Sequence, residues 1–135
     1  MADRSRVYPL LRYRDPRAAI DFLVTAFGVM PMAVHEAPDG TIAQAELKLG
    51  DSVLLVGRLS PDLAAEGRTA SGGSASLYVS IDFVDAHHER AAAAGARITR
   101  PPAETDGGSR SYACRDLEGY EWSFGTYVPR APPTD

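Results

Sequence analysis

A chain of 135 residues that is 44% hydrophobic and 24% charged has the length and apolar content of one globular domain with a single core. Its formal net charge of −4, with no block of lysine or arginine, argues against nucleic acid as a partner, because phosphate binding needs clustered positive charge. No apolar run approaches the roughly 20 residues of a membrane span, the first residues lack the apolar core of a signal peptide, and the one cysteine, Cys114, has no partner for an internal disulfide. Together these features predict a cytoplasmic protein without membrane contact.

Residues 1–5 read as a frayed terminus. Val7 to Tyr13 reads as a strand in which Pro9 removes a backbone donor, so it should lie at a sheet edge or start late. Asp15 suits an N-cap and Pro16 a first helical turn. The helix Arg17 to Phe27 carries Ala19, Ile20, Leu23, Val24 and Phe27 on one stripe, and Gly28 follows it. Met30 to His35 is a second strand. Pro38-Asp39-Gly40 is a hairpin turn, and Ile42 to Leu49 a third strand with Ile42, Ala43, Ala45, Leu47 and Leu49 apolar. After a turn at Gly50-Asp51-Ser52, Val53 to Val56 is the fourth strand, which gives the order βαβββ.

The same order then repeats. Leu77, Val79 and Ile81 alternate with Ser76, Tyr78 and Ser80 in a half-buried strand, and an alanine-rich helix ends at Gly95. Arg97 to Thr99 is a short strand, followed by an irregular connection through Pro101-Pro102 and Asp106-Gly107-Gly108. Ser109 to Arg115 and Glu121 to Tyr127 are strands around the turn Asp116-Leu117-Glu118-Gly119. The expected organisation is one domain over 1–135: a first module at about 6–57, a linker over 58–74 with a short helix Asp62 to Glu66, a second module at about 75–128, and a tail over 129–135. Such a linker would let each module meet its counterpart from another chain, as in domain swapping.

The segments Leu11-Arg12-Tyr13-Arg14-Asp15-Pro16, Ala45-Glu46-Leu47-Lys48-Leu49-Gly50-Asp51, Tyr78-Val79-Ser80-Ile81-Asp82 and Arg115-Asp116-Leu117-Glu118-Gly119-Tyr120-Glu121-Trp122, in this order and spacing, resemble the vicinal-oxygen-chelate superfamily. That group includes glyoxalase I, the extradiol dioxygenases and the fosfomycin- and bleomycin-resistance proteins. The resemblance implies an α+β fold, in which two βαβββ modules form a curved mixed β-sheet cleft with helices outside, and a homodimer.

In the metal-dependent members of that superfamily the first and fourth strands of each module supply His, Gln or Glu ligands. Carried over by position, those places are Tyr8, Leu55, Ser76 and Ser123, a set that offers poor donors or none. The resemblance is therefore greatest to the metal-free, bleomycin-resistance-like members, with no metal and no cofactor. Strand alternation puts Tyr8, Leu10, Arg12, Val53, Leu55, Ser76, Tyr78, Ser80, Glu121 and Ser123 on the cleft side, and Pro9, Leu11, Tyr13, Leu54, Val56, Trp122 and Phe124 on the helix side. The ligand-binding set is thus Tyr8, Leu10, Arg12, Leu55, Ser76, Tyr78, Ser80, Glu121 and Ser123, and the bland alternative is that these side chains only fill space.

The remaining candidates have structural readings. Arg12 and Glu46 or Glu121 could form an internal ion pair or contact a ligand, although Glu46 suits an exposed strand end. His35 reads as solvated, and His87-His88-Glu89 as a solvated helix face, because adjacent helical positions point about 100° apart. A charge on Arg90 or Arg97 would offset Asp85 and Glu89. Cys114 reads as a small core residue, Trp122 and Phe124 as packing on the second helix, and Met30 and Met32 as gap-fillers or interface residues. The expected function is metal-free binding of a small organic molecule, an antibiotic among the candidates, in the cleft or at a dimer interface. The alternatives are a glyoxalase-like lyase, isomerase or dioxygenase with an atypical metal site or acid–base chemistry at Tyr8 or Glu121, and an accessory module acting through a protein partner.

Overall fold

The computed structural model describes residues 5–60 and 75–130. The expected short helix at Asp62 to Glu66 lies outside the described residues. The first module runs β1 (Leu10–Tyr13), α1 (Pro16–Phe27), β2 (Met30–Glu36), β3 (Ile42–Leu49) and β4 (Ser52–Arg58); the second runs β5 (Ser76–Ser80), α2 (Val84–Ala93), β6 (Arg97–Glu104), β7 (Arg110–Arg115) and β8 (Glu121–Gly125). Each module forms a four-stranded mixed sheet, ordered β1-β4-β3-β2 and β5-β8-β7-β6, and the two sheets do not close on each other. The duplication holds at the level of register: the parallel partners Leu10 and Leu55 in the first module recur as Tyr78 and Ser123 in the second, and Arg12 with Gly57 recurs as Ser80 with Gly125. Among the described residues no helix is long and apolar enough to cross a membrane.

Local chemistry accounts for most element ends. Pro9 delays β1, which starts at Leu10 and lies at the sheet edge. An Asp15 side-chain oxygen accepts from the Ala18 amide at 3.1 Å, Pro16 opens α1, and Gly28 leaves it in the left-handed region at φ 74°. Three boundaries and one strand register depart from the sequence reading. β4 continues through Gly57 and Arg58, shortening the linker, because both residues pair with β1. β8 stops at Gly125, two residues before Tyr127. β6 continues through Pro101-Pro102 to Glu104, because it is an edge strand that skips ladder positions on both sides of Arg100 and tolerates missing donors there. In β3, Glu36 partners Ile42 and His35 partners Gln44, so Ala43 bulges out and is exposed instead of joining the apolar face.

The core lies between the two sheets. Leu11, Tyr13, Leu54, Val56, Trp122 and Phe124 point from the sheets toward α1 and α2, and all are buried. Each large apolar side chain buried this way contributes about 1.5–3 kcal/mol. Trp122 and Phe124 pack on Phe27 of the first helix, at centroid distances of 5.1 and 4.8 Å, rather than on the second helix alone. His87 is a correction as well. It is half-buried, lies 4.1 Å from the Phe124 ring centroid, and its Nδ1 is hydrogen-bonded to the Tyr112 hydroxyl at 2.5 Å. The helix face read as solvated is therefore part of the seam between modules.

That seam holds α1 at both ends. The Glu118 carboxylate accepts from the Arg14 and Asp15 amides at 2.7 and 2.9 Å, just before the helix. Arg90 of α2 donates to the Thr25 and Val24 carbonyls at 2.8 and 3.2 Å, at its other end. Arg90 thus serves the helix terminus, while Asp85 is satisfied by Arg110 at 2.8 Å. The two modules meet back to back through their helix-bearing faces.

Candidate ligand-binding face

Because the helix sides are spent on each other, the opposite sheet faces are left open. Directly paired residues share a face, so the ladders define rows of side chains. On the first sheet the rows are Leu10, Leu55, Glu46, Ala33 and Arg12, Gly57, Gln44, His35. On the second they are Tyr78, Ser123, Ala113, Arg100; Ser80, Gly125, Ser111, Ala103; and Ser76, Glu121, Arg115, Arg97. The register places Leu10, Arg12 and Leu55 together on one sheet, with Tyr8 just ahead of β1. It places Ser76, Tyr78, Ser80, Glu121 and Ser123 together on the other. Among the described residues no hydrogen bond or ion pair joins the two sets. Tyr8 is 53% exposed, Leu10 45% and Tyr78 42%, so neither face is covered within one chain.

Each floor contains a glycine at the equivalent place. Gly57 sits under Arg12 and Leu10; a Cβ there would lie 3.5 Å from the Arg12 guanidinium and the Leu10 methyl, an ordinary contact. Gly125 sits under Tyr78; a Cβ there would come within 2.9 Å of the Tyr78 hydroxyl and the Ser111 Cβ. Tyr78 therefore lies flat across β8 only because that position has no side chain. Its hydroxyl donates to the Tyr127 carbonyl at 2.6 Å, and partial burial raises its pKa above the usual phenol value.

The polar groups have defined partners. Glu121 pairs with Arg115 at 3.6 Å, and Arg115 also donates to the Gly119 carbonyl at 2.7 Å. Arg12 forms no ion pair with Glu46 or Glu121; its Nη1 donates only to the Arg58 carbonyl at 3.5 Å. Glu46 is half-buried beside Leu55 in the middle of β3, not at an exposed strand end. Arg100 donates to the Ser111 hydroxyl at 3.0 Å. His35 is exposed at the sheet edge, and Met30 and Met32 are exposed on the same strand. Cys114 is fully buried in the core, where desolvation pushes its thiol up to about 12.

The glycine floors and the Arg115–Glu121 pair were not found by sequence reasoning. The glycines carried a readable signal, since Val56-Gly57-Arg58 and Phe124-Gly125-Thr126 occupy matching places in the repeat.

Comparison with known proteins agrees with this geometry. The family described as Glyoxalase/Bleomycin resistance protein/Dioxygenase superfamily matches residues 6–124. An uncharacterized protein of Mycobacterium tuberculosis is 28% identical over 124 residues, covering 89% of this chain and 73% of its own length. The crystal structure of TioX from Micromonospora sp. ML1 is 33% identical, with a TM-score of 0.73 over 95% of this chain and all of its own (100%). The fosfomycin resistance protein FosX from Mesorhizobium loti shares the fold at 17% identity and a TM-score of 0.69, covering 94% of each chain. With its duplicated modules, its unclosed mixed sheets and a family match along most of its length, the chain belongs to the glyoxalase/bleomycin resistance protein/dioxygenase superfamily.

Proposed function

We propose that this protein is a metal-free small-molecule-binding protein that sequesters an organic ligand between the open sheet face of the first module and the open face of the second module of another copy. The observation that carries the reading is the make-up of those faces. They offer exposed apolar and aromatic area at Leu10 and Tyr78 with half-buried Leu55 beside it, and a few polar groups at Arg12, Ser76, Ser80, Glu121 and Ser123. Small-molecule sites have this mixture.

Two further observations support it. The modules of one chain stand back to back, so a cleft between two sheet faces needs a second chain, which would also cover the edge strands β1 and β5. The donor set does not fit a divalent ion: Tyr8, Leu55, Ser76 and Ser123 provide no imidazole or carboxylate. Among the described residues no three His, Cys, Asp or Glu side chains come together. No catalytic step is assigned, and Glu121 is engaged with Arg115.

The test is a thermal-shift screen with antibiotics and other aromatic natural products, combined with light scattering for mass. A binder raises the melting temperature of wild type but not of Tyr78→Ala or Leu55→Asp, and the protein runs as a dimer. A monomer that no such compound stabilises would contradict the reading.

A further inference from the structure

At one corner of the second sheet two cations face each other. Arg97 and Arg115 are direct partners in the β6–β7 ladder, and like charges placed opposite each other destabilise a sheet. Arg14 of the first module lines the same hollow, which has a volume of about 650 Å³ and opens at the seam between modules. Three arginines from two modules therefore line one space, together with Asp116 and Glu118.

Among the described residues Asp116 and Glu118, which line the same hollow, form no ion pair with Arg14, Arg97 or Arg115. Asp116 spends its oxygens on the Tyr13 hydroxyl at 2.5 Å, the Trp122 indole at 3.1 Å and the Glu118 and Tyr120 amides at 3.1 Å each. Glu118 spends its two oxygens on the amides that precede α1. Glu121 is taken by Arg115. Among the described residues the side chains of Arg14 and Arg97 have no ion pair or hydrogen bond.

We propose that this hollow is an oxyanion site, in which Arg14, Arg97 and Arg115 bind the phosphate or carboxylate group of a small molecule. Guanidinium forks match such oxygens in bidentate geometry, and an anion between Arg97 and Arg115 turns their repulsion into attraction. Because Arg14 belongs to the first module and the other two to the second, occupancy ties the seam together, and unfolding reports it. Arg97 and Arg115 end the row that Ser76 and Glu121 begin on the second sheet, but all three arginines belong to one chain, so the site needs no second copy.

The experiment is thermal unfolding of the full chain titrated with potassium phosphate or citrate, against potassium chloride at matched ionic strength. Wild type should show a saturable rise in melting temperature with at least one oxyanion and none with chloride; which of the two acts separates phosphate from carboxylate recognition. Arg97→Ser should weaken the apparent affinity at least tenfold, yet unfold in chloride at the same or a higher temperature than wild type, since the like-charge pair is gone. Equal shifts with chloride, an Arg97→Ser variant that responds like wild type, or one that is less stable in chloride would each overturn the proposal.

Discussion

The Tyr13 hydroxyl donates to the Asp116 carboxylate at 2.5 Å across the seam between modules. Asp116 is only 7% exposed, and it also receives the Trp122 indole and two amides of its own turn. Burying a carboxylate is tolerable only when its lone pairs are filled, as here. Burial, then the Asp116 charge, raises the Tyr13 pKa, so the phenol stays protonated and remains a donor. Tyr13→Phe should cost about 1–3 kcal/mol, and Asp116→Ala about 3 kcal/mol or more, because the latter strands several donors at once. Urea denaturation checks both, and a loss below about 0.5 kcal/mol for either would show that the network is ornamental.

The two glycine floors give a contrasting pair of substitutions. Gly57→Ala meets only ordinary contacts and should change stability by less than about 1 kcal/mol. Gly125→Ala would crowd the Tyr78 hydroxyl, the Ser111 Cβ and the Arg110 carbonyl at once and should cost about 1–3 kcal/mol. Denaturation midpoints of the two variants, with the Tyr78 side-chain NMR signals as a local probe, distinguish them. Equal costs would contradict the placement of the Tyr78 ring.

Acid should weaken the fold through His87. Burial against Phe124 and Phe27, then the Arg90 charge, lowers its pKa from 6.5 to about 4. The unfolded chain therefore binds the proton more readily, and the stability due to the neutral ring is complete above pH 6.5 and is lost as pH falls toward 4. The ring is only partly buried, so roughly 1–2 kcal/mol should be lost over that window after solvent screening. Stability against pH, measured for wild type and His87→Phe, checks this; a variant with an unchanged slope between pH 6.5 and 4 would place the acid sensitivity elsewhere.

Arg90 is the cap that α1 borrows from the other module. Arg90→Ala should cost about 1–2 kcal/mol by leaving the Thr25 carbonyl unsatisfied and removing a second donor from Val24, whose carbonyl keeps the Gly28 amide. Hydrogen exchange should locate the loosening in the last turn of α1. Exchange confined to α2 would contradict the cap.

How much of this was legible in the chain depends on sequence distance. The start and end of α1 follow from Asp15, Pro16 and Gly28, which act within a few residues, and the face alternation of Leu11, Leu54 and Trp122 follows from strand period. The path of β6 through Pro101-Pro102 was not legible, because prolines read locally as a break while the edge position that tolerates them is set by β7. His87 read as a solvated residue, Arg90 as a local charge partner and Glu118 as part of a turn, since their partners Tyr112, Thr25 and Arg14 lie in other elements. The ligand-binding faces were assigned by alternation, but nothing local says that one chain turns them away from each other. That arrangement is set by Phe27 packing between Trp122 and Phe124.

The central claim is that the surface built from Leu10, Leu55, Tyr78 and Ser123 grips an organic molecule without help from a divalent cation. The direct measurement is elemental analysis of purified protein together with its melting temperature in chelator and after addition of nickel, zinc or manganese. The account predicts no stoichiometric metal and a melting temperature that chelator leaves unchanged. A bound ion at one per chain, with a drop of several degrees in chelator, would contradict it.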